Sequence, residues 1–140
     1  MIVKSGSAVW RGGLKDGSGS VSTQSGALID QPYGFATRFE GKAGTNPEEL
    51  IAAAHASCFS MALSNILGQK DIVPEEIDTQ VFITLENRDG GFVVTKSALE
   101  VVIHADADEA VLLEAAAVAK ANCPISKLLN AEISMEARKG

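Results

Sequence analysis

A chain of 140 residues with 46% hydrophobic content is long enough for one globular domain with a real core, residues 1–140, and nothing in it marks a second. A net charge of -6 and a pI near 4.8 argue against nucleic acid or an anionic membrane as partner, because both need basic patches. The opening MIVKSGSAVW has no continuous apolar stretch of the signal-peptide kind, so a cytoplasmic address is expected, where thiols are kept reduced.

Short alternating runs broken by glycine and serine clusters come first and predict a β-meander. Its strands are expected over Ser7 to Trp10, Ser18 to Thr23 and Phe35 to Glu40, with a turn through Pro32 between Gln31 and Gly34. In the FATRFE segment, strand alternation puts Phe35, Thr37 and Phe39 on one side and Ala36, Arg38 and Glu40 on the other.

The stretch from Gly44 to Gly68 then reads as one long helix. Asn46 is a good N-cap with Glu49 at capping-box spacing, Pro47 suits the first helical position, and Glu48 and Glu49 favour the positive end. Between Pro47 and Leu67 almost no polar face is left, and such a helix has to be buried. Alanine dominates it, and His55, Ser57, Ser60, Ser64 and Asn65 interrupt it, so it reads as the spine of a core rather than a membrane span.

Asp78 to Glu86 alternates with Val81, Ile83 and Leu85 on one face, NRDGG is a strong turn, and Phe92 to His104 returns as the second arm of a long hairpin. Asp106 and Glu109 have capping-box spacing ahead of an alanine-rich helix over Ala107 to Ala121, which should stop before Pro124. A helical turn over Ile125 to Leu129 and a last strand near Glu132 to Ala137 complete the order βββ, α, ββ, α, α, β. That order is an α+β protein without a nucleotide-type βαβ repeat or GxGxxG.

Two cysteines, 65 positions apart, form no CxxC or zinc ribbon; they are two unrelated thiols or one pair brought together by folding. Cys58, at the middle of the long helix, has a packing reading, as free cysteine is among the most buried residue types. Cys123 precedes a proline-started helical turn, where exposed N–H groups favour a thiolate or an oxidised sulfur. His55 lies three residues before Cys58 on the same helical face and could serve as its base, although a hydrogen-bonded packing role is the commoner fate of such a histidine. A zinc site from the two cysteines, His55 and His104 would have no recognisable ligand spacing. Glu48 by default serves the first helical turn, and Arg38 reads as a surface charge paired with Glu40 or Glu48.

The stretch QPYGFATRFEGKAGTNPEELIAAAHASCFSMALS and the block ANCPISKLL closely resemble the OsmC/Ohr family of hydroperoxide peroxidases. Arg38, in YGFATRFEG directly ahead of the helix, makes the chain most similar to the OsmC branch. The resemblance covers essentially the whole chain. It implies a peroxidase without metal, haem or other cofactor, with Cys58 as peroxidatic and Cys123 as resolving cysteine, and Arg38 and Glu48 in support. It also implies an intertwined homodimer in which two central helices are wrapped by β-sheet. Its substrate would be a hydroperoxide, its reductant an external thiol such as a lipoyl-type dithiol, a small thiol or a thioredoxin-like protein.

Helix geometry adds a constraint. Glu48 and Cys58 are ten residues apart, about 15 Å along a straight helix and some 80° away in rotation, so they cannot meet within one chain. A composite site is therefore expected, with both cysteines from one chain and Glu48, together with Arg38, from the other. Tyr33, Phe35, Phe39, Phe59 and Met61 are candidate apolar lining that would favour organic over hydrogen peroxide, with core packing the commoner fate of each. Two rival readings stand beside the peroxidase: a Cys58–His55 hydrolase or acyl-transfer enzyme, and a non-catalytic redox-sensing or ligand-binding protein of the same fold.

Overall fold

The computed structural model describes all 140 residues. Ten elements follow one another: β1 (Gly6–Arg11), β2 (Ser18–Thr23), β3 (Gln31–Tyr33), α1 (Phe35–Phe39), α2 (Pro47–Gly68), β4 (Glu76–Arg88), β5 (Gly91–His104), α3 (Glu109–Asn122), α4 (Pro124–Leu128) and β6 (Glu132–Lys139). The chain divides into two compact units, Met1–Leu50 and Ile51–Gly140, each with its own sheet, and α2 begins in the first and continues in the second. The α+β class is as expected from the sequence.

In the first unit β1, β2 and β3 form an antiparallel meander in that order. The register places Gly19 between Trp10 and Tyr33, whose rings lie 5.6 Å apart. A Cβ on Gly19 would stand 2.6 Å from the Tyr33 ring and 2.7 Å from the Trp10 ring, so only glycine lets the two aromatics close over the strand. Pro32, expected in a turn, sits in β3 instead. It is tolerated there because β3 is an edge strand, where a missing N–H costs no ladder bond.

Phe35 to Glu40 also departs from expectation: the segment is a short helix, not a strand, so the chain has one helix more than the sequence order predicts. Local contacts outweigh the two-residue alternation. The Thr37 hydroxyl accepts from the Gly34 N–H at 2.9 Å, the Arg38 N–H donates to the Gly34 carbonyl at 3.2 Å, and the Phe35 and Phe39 rings pair at 5.0 Å across one turn. Arg38 accordingly projects from a helix.

Helix α2 starts as its sequence dictates, with the Glu49 N–H donating to the Asn46 side-chain oxygen at 2.8 Å. By length and composition it is apolar enough to cross a membrane. The expectation of all-round burial is not met. Only His55, Phe59, Leu63 and Leu67, four residues apart in turn, are fully buried, while Ala53, Ala54, Ser57, Met61 and Ser64 are exposed. One chain covers one stripe of the helix.

The second unit holds the core. Strand β5 is the middle strand of its sheet, antiparallel to β4 and parallel to β6. Every second residue from Ser97 through Leu99 and Val101 to Ile103 is buried, together with Leu112, Ala115, Ala116 and Ala119 of α3 and the α2 stripe. The expected Asp106–Glu109 box does not form. Asp108 occupies the N-cap without a side-chain bond, and the Glu109 carboxylate instead accepts from the Lys139 N–H at 3.0 Å, joining α3 to β6.

Candidate active site

Folding of the second unit brings the two cysteines together: Cys58 on α2 and Cys123, at the break between α3 and α4, lie close enough for each thiol to bear on the other's charge. The break follows from Pro124, which removes a helical N–H and fixes the first residue of α4. It presents the N–H groups of Ile125 and Ser126 to sulfur: the first acts on both cysteines, and the second donates to Cys123 Sγ at 3.5 Å.

Charge is divided unequally between the pair. Burial pushes the Cys58 thiol up, and Cys123 adds to that push, against the single lowering contact of the Ile125 N–H. Burial also works against charge on Cys123. There the Ser126 N–H, the Cys58 thiol, the Ser126 hydroxyl and the Ile125 N–H outweigh it and hold the pKa below the ordinary thiol value. Of the two thiols within this unit, Cys123 is thus the more readily ionised. Access runs the other way, because Cys123 has no exposed surface and Cys58 is partly open.

His55 is not aimed at either sulfur. It is fully buried, with Nδ1 2.7 Å from Ser97 Oγ and Nε2 2.8 Å from Ser126 Oγ, and burial lowers its pKa, so it is a neutral imidazole engaged at both nitrogens. The structure therefore places it as a packing residue bonded to two hydroxyls and not as a base on Cys58. The two serines, 42 and 71 positions away, were missing from the sequence reading. The CPIS spacing, which puts Ser126 one turn after Cys123, was the available signal.

In the first unit, Arg38 and Glu48 form a forked ion pair. Arg38 Nη2 donates to Glu48 Oε1 at 2.7 Å and Nε donates to both carboxylate oxygens at 3.1 and 3.2 Å, with Glu48 13% and Arg38 36% exposed. Arg38 also lies over the Phe39 ring, 5.2 Å from its centre. A cavity of about 210 Å³ in the same unit is lined by Trp10, Leu14, Tyr33, Phe35, Arg38 and Phe39. Three of the five expected lining residues thus share one wall with the arginine. Phe59 does not: it is fully buried in the core of the second unit, since it lies on the inward stripe of α2. Met61, two residues on, is 77% exposed.

An α+β chain with a long helix carrying one thiol, close to a second thiol set at a helix break, defines a class of dithiol proteins. The chain belongs to the OsmC-like protein family, whose model matches residues 39–138. It is 51% identical over 136 residues to peroxiredoxin OsmC of Escherichia coli (strain K12), covering 96% of this chain and 95% of that protein. It is 34% identical over 99 residues to the organic hydroperoxide resistance protein OhrB of Bacillus subtilis (strain 168), covering 69% and 71%. The crystal structure of Bacillus subtilis OhrB superposes with a TM-score of 0.73 at 27% identity, over 97% of this chain and 98% of that one.

Proposed function

We propose that this chain is a thiol peroxidase that reduces organic hydroperoxides, and hydrogen peroxide less efficiently, in defence against oxidative and osmotic stress. The observation that carries the reading is the close pair of thiols, one partly open and one buried, in a chain whose relatives are peroxide-handling proteins.

Cys58 is the peroxidatic residue because it is the thiol a peroxide can reach. As it attacks ROOH its proton passes to Cys123, the O–O bond breaks, and Cys58 becomes a sulfenic acid. The departing RO⁻ takes a proton from the Cys123 thiol and leaves as ROH. The restored Cys123 thiolate then attacks Cys58 sulfur, expelling hydroxide, which leaves as water after taking a proton from solvent. The product is a Cys58–Cys123 disulfide, and a dithiol reductant reopens it by exchange. In a reducing cytoplasm such a bond is a transient of turnover.

The 140 residues act as one functional domain within a homodimer. Support comes from the exposed side of α2, where Ala53, Ala54 and Ser57 permit close approach of a second helix. Arg38 and Glu48 then serve the cysteines of the other chain. The guanidinium, held by Glu48, favours the Cys58 thiolate and donates to the peroxide oxygens. Trp10, Tyr33, Phe35 and Phe39 offer an alkyl or aryl group an apolar wall beside it. The hydrolase reading loses its base, since both nitrogens of His55 are engaged by serine hydroxyls.

The test is steady-state reduction of cumene and tert-butyl hydroperoxide with dihydrolipoamide or dithiothreitol, set against hydrogen peroxide. Turnover that favours the organic substrates is expected, with complete loss in Cys58→Ser. In Cys123→Ser a single equivalent of sulfenic acid should form without an intramolecular disulfide. Absence of oxidant consumption by the wild type would overturn the assignment, and equal efficiency on all three peroxides would remove the apolar wall.

A further inference from the structure

Ser126 is the only buried residue of α4, a five-residue helix too short to hold its shape unaided. Its hydroxyl oxygen lies 2.8 Å from His55 Nε2, and the other ring nitrogen lies 2.7 Å from Ser97 Oγ on β5. His55 and Ser97 have no exposed surface, and no buried side-chain nitrogen or oxygen is left without a partner. His55 stands three residues before Cys58, and Ser126 three residues after Cys123. The two helices therefore meet in antiparallel order at two rungs, one polar and one of sulfur. The Ser126 N–H donates back to Cys123 Sγ at 3.5 Å, tying the two rungs together on the α4 side. We propose that His55 is a positioning residue: its bond to Ser126 holds Cys123 beside Cys58 while Cys58 is a sulfenic acid, and so favours disulfide closure over further oxidation of Cys58.

A disulfide forms only within a narrow range of separations, and a hydrogen bond, which weakens steeply with distance and angle, fixes two helices more narrowly than apolar contact does. Little else anchors α4: Ile125 is half-buried, while Pro124, Lys127 and Leu128 are exposed. Two fates compete for the Cys58 sulfenic acid. In closure the Cys123 thiol gives up its proton, its sulfur attacks Cys58 sulfur, and the S–S bond forms as the S–O bond breaks. The expelled hydroxide takes up a proton and leaves as water. In the other fate a second ROOH transfers an oxygen to Cys58 sulfur, the O–O bond breaks, ROH leaves, and a sulfinic acid remains. Cys58 is partly open, so that second peroxide has the same access as the first. Only closure depends on where Cys123 stands.

The proposal rests on the peroxidase reading, and its test separates the two. In His55→Asn the amide reaches only where Nδ1 stood, toward Ser97; in His55→Gln it reaches where Nε2 stood, toward Ser126. Stopped-flow oxidation with one equivalent of cumene hydroperoxide, with trapping of the sulfenic acid and mass spectrometry, times each step. His55→Asn should oxidise at Cys58 as fast as wild type and close about tenfold more slowly, the usual effect of one lost hydrogen bond. Under excess oxidant it should reach half-conversion to Cys58 sulfinic acid at about tenfold lower peroxide, and His55→Gln should match wild type on both counts. Equal behaviour of the two variants, or oxidation and closure slowed alike, overturns the proposal. Hydrogen exchange of the wild type decides even if neither variant folds. The Lys127 and Leu129 N–H groups, bonded to the Cys123 and Ile125 carbonyls, should exchange as slowly as those of α2 around His55, and the fast exchange of a frayed turn overturns the anchoring. Should wild type consume no peroxide, the peroxidase reading falls by itself. The positioning role is then judged by the equilibrium of the Cys58–Cys123 disulfide with dithiothreitol, expected about tenfold less favourable in His55→Asn and overturned by an unchanged value.

Discussion

No residue of the first unit is fully buried, whereas the second holds every one of the buried hydrophobic side chains, from Phe59 on α2 to Cys123. The first unit displays what recognises: the forked Arg38–Glu48 pair and an aromatic cavity. The second encloses what reacts: two thiols against a packed sheet. Apolar burial is the main force holding a fold, so the second unit carries its own stability. The first has its rings still available to be covered, and the second the outer face of α2.

This contrast is tested most strongly by truncation. Phe59→Ala should cost about 3–5 kcal/mol in urea unfolding, the usual loss for emptying a buried aromatic site. Trp10→Ala, removing a ring 38% exposed that packs on Tyr33 and donates to the Gly12 carbonyl, should cost about 1 kcal/mol by the same measurement. Equal costs would break the contrast and mean that Trp10 is itself covered in solution. The protein-concentration dependence of the unfolding midpoint would then identify a second copy as the cover.

A smaller effect is expected at the ion pair, and on activity rather than stability. Glu48→Gln keeps the shape and removes the charge that orients the Arg38 fork, so kcat/KM for cumene hydroperoxide should fall about tenfold. The melting temperature should hardly move, because the pair is partly solvated. A large drop in melting temperature with unchanged kcat/KM would make the pair a structural clamp of the first unit.

The smallest effect is acid sensitivity in the second unit. His55 has a pKa lowered below 6.5 by burial, so its contribution to stability is present above that value and is lost as pH falls. His55→Gln, which does not titrate, should flatten the decline of the urea midpoint on going from pH 7.5 to pH 5. An unchanged decline would assign the acid response to other groups.

Much of this was legible in the sequence where the signals were local. The Asn46 cap and Pro47 fixed the start of α2, the NRDGG turn fixed the β4–β5 hairpin, and Pro124 fixed the break at Cys123. The meeting of the cysteines was readable from the two motifs together, not from spacing. FATRF misled because five alternating residues fit a strand as well as a helical turn with a phenylalanine pair at four-residue spacing. Asp106 misled because Glu109 had a distant partner in Lys139. The bonds of His55 to Ser97 and Ser126 cross most of the second unit, and no local pattern encodes them.

Of the chain's two imidazoles, His104 stands at a strand end with 42% of its side chain open, and His55 is sealed. A water-borne acylating reagent therefore meets one ring in the native fold and a second only when the core breathes. Delayed labelling becomes a stopwatch native to the polypeptide, counting openings around the sulfurs without any engineered residue.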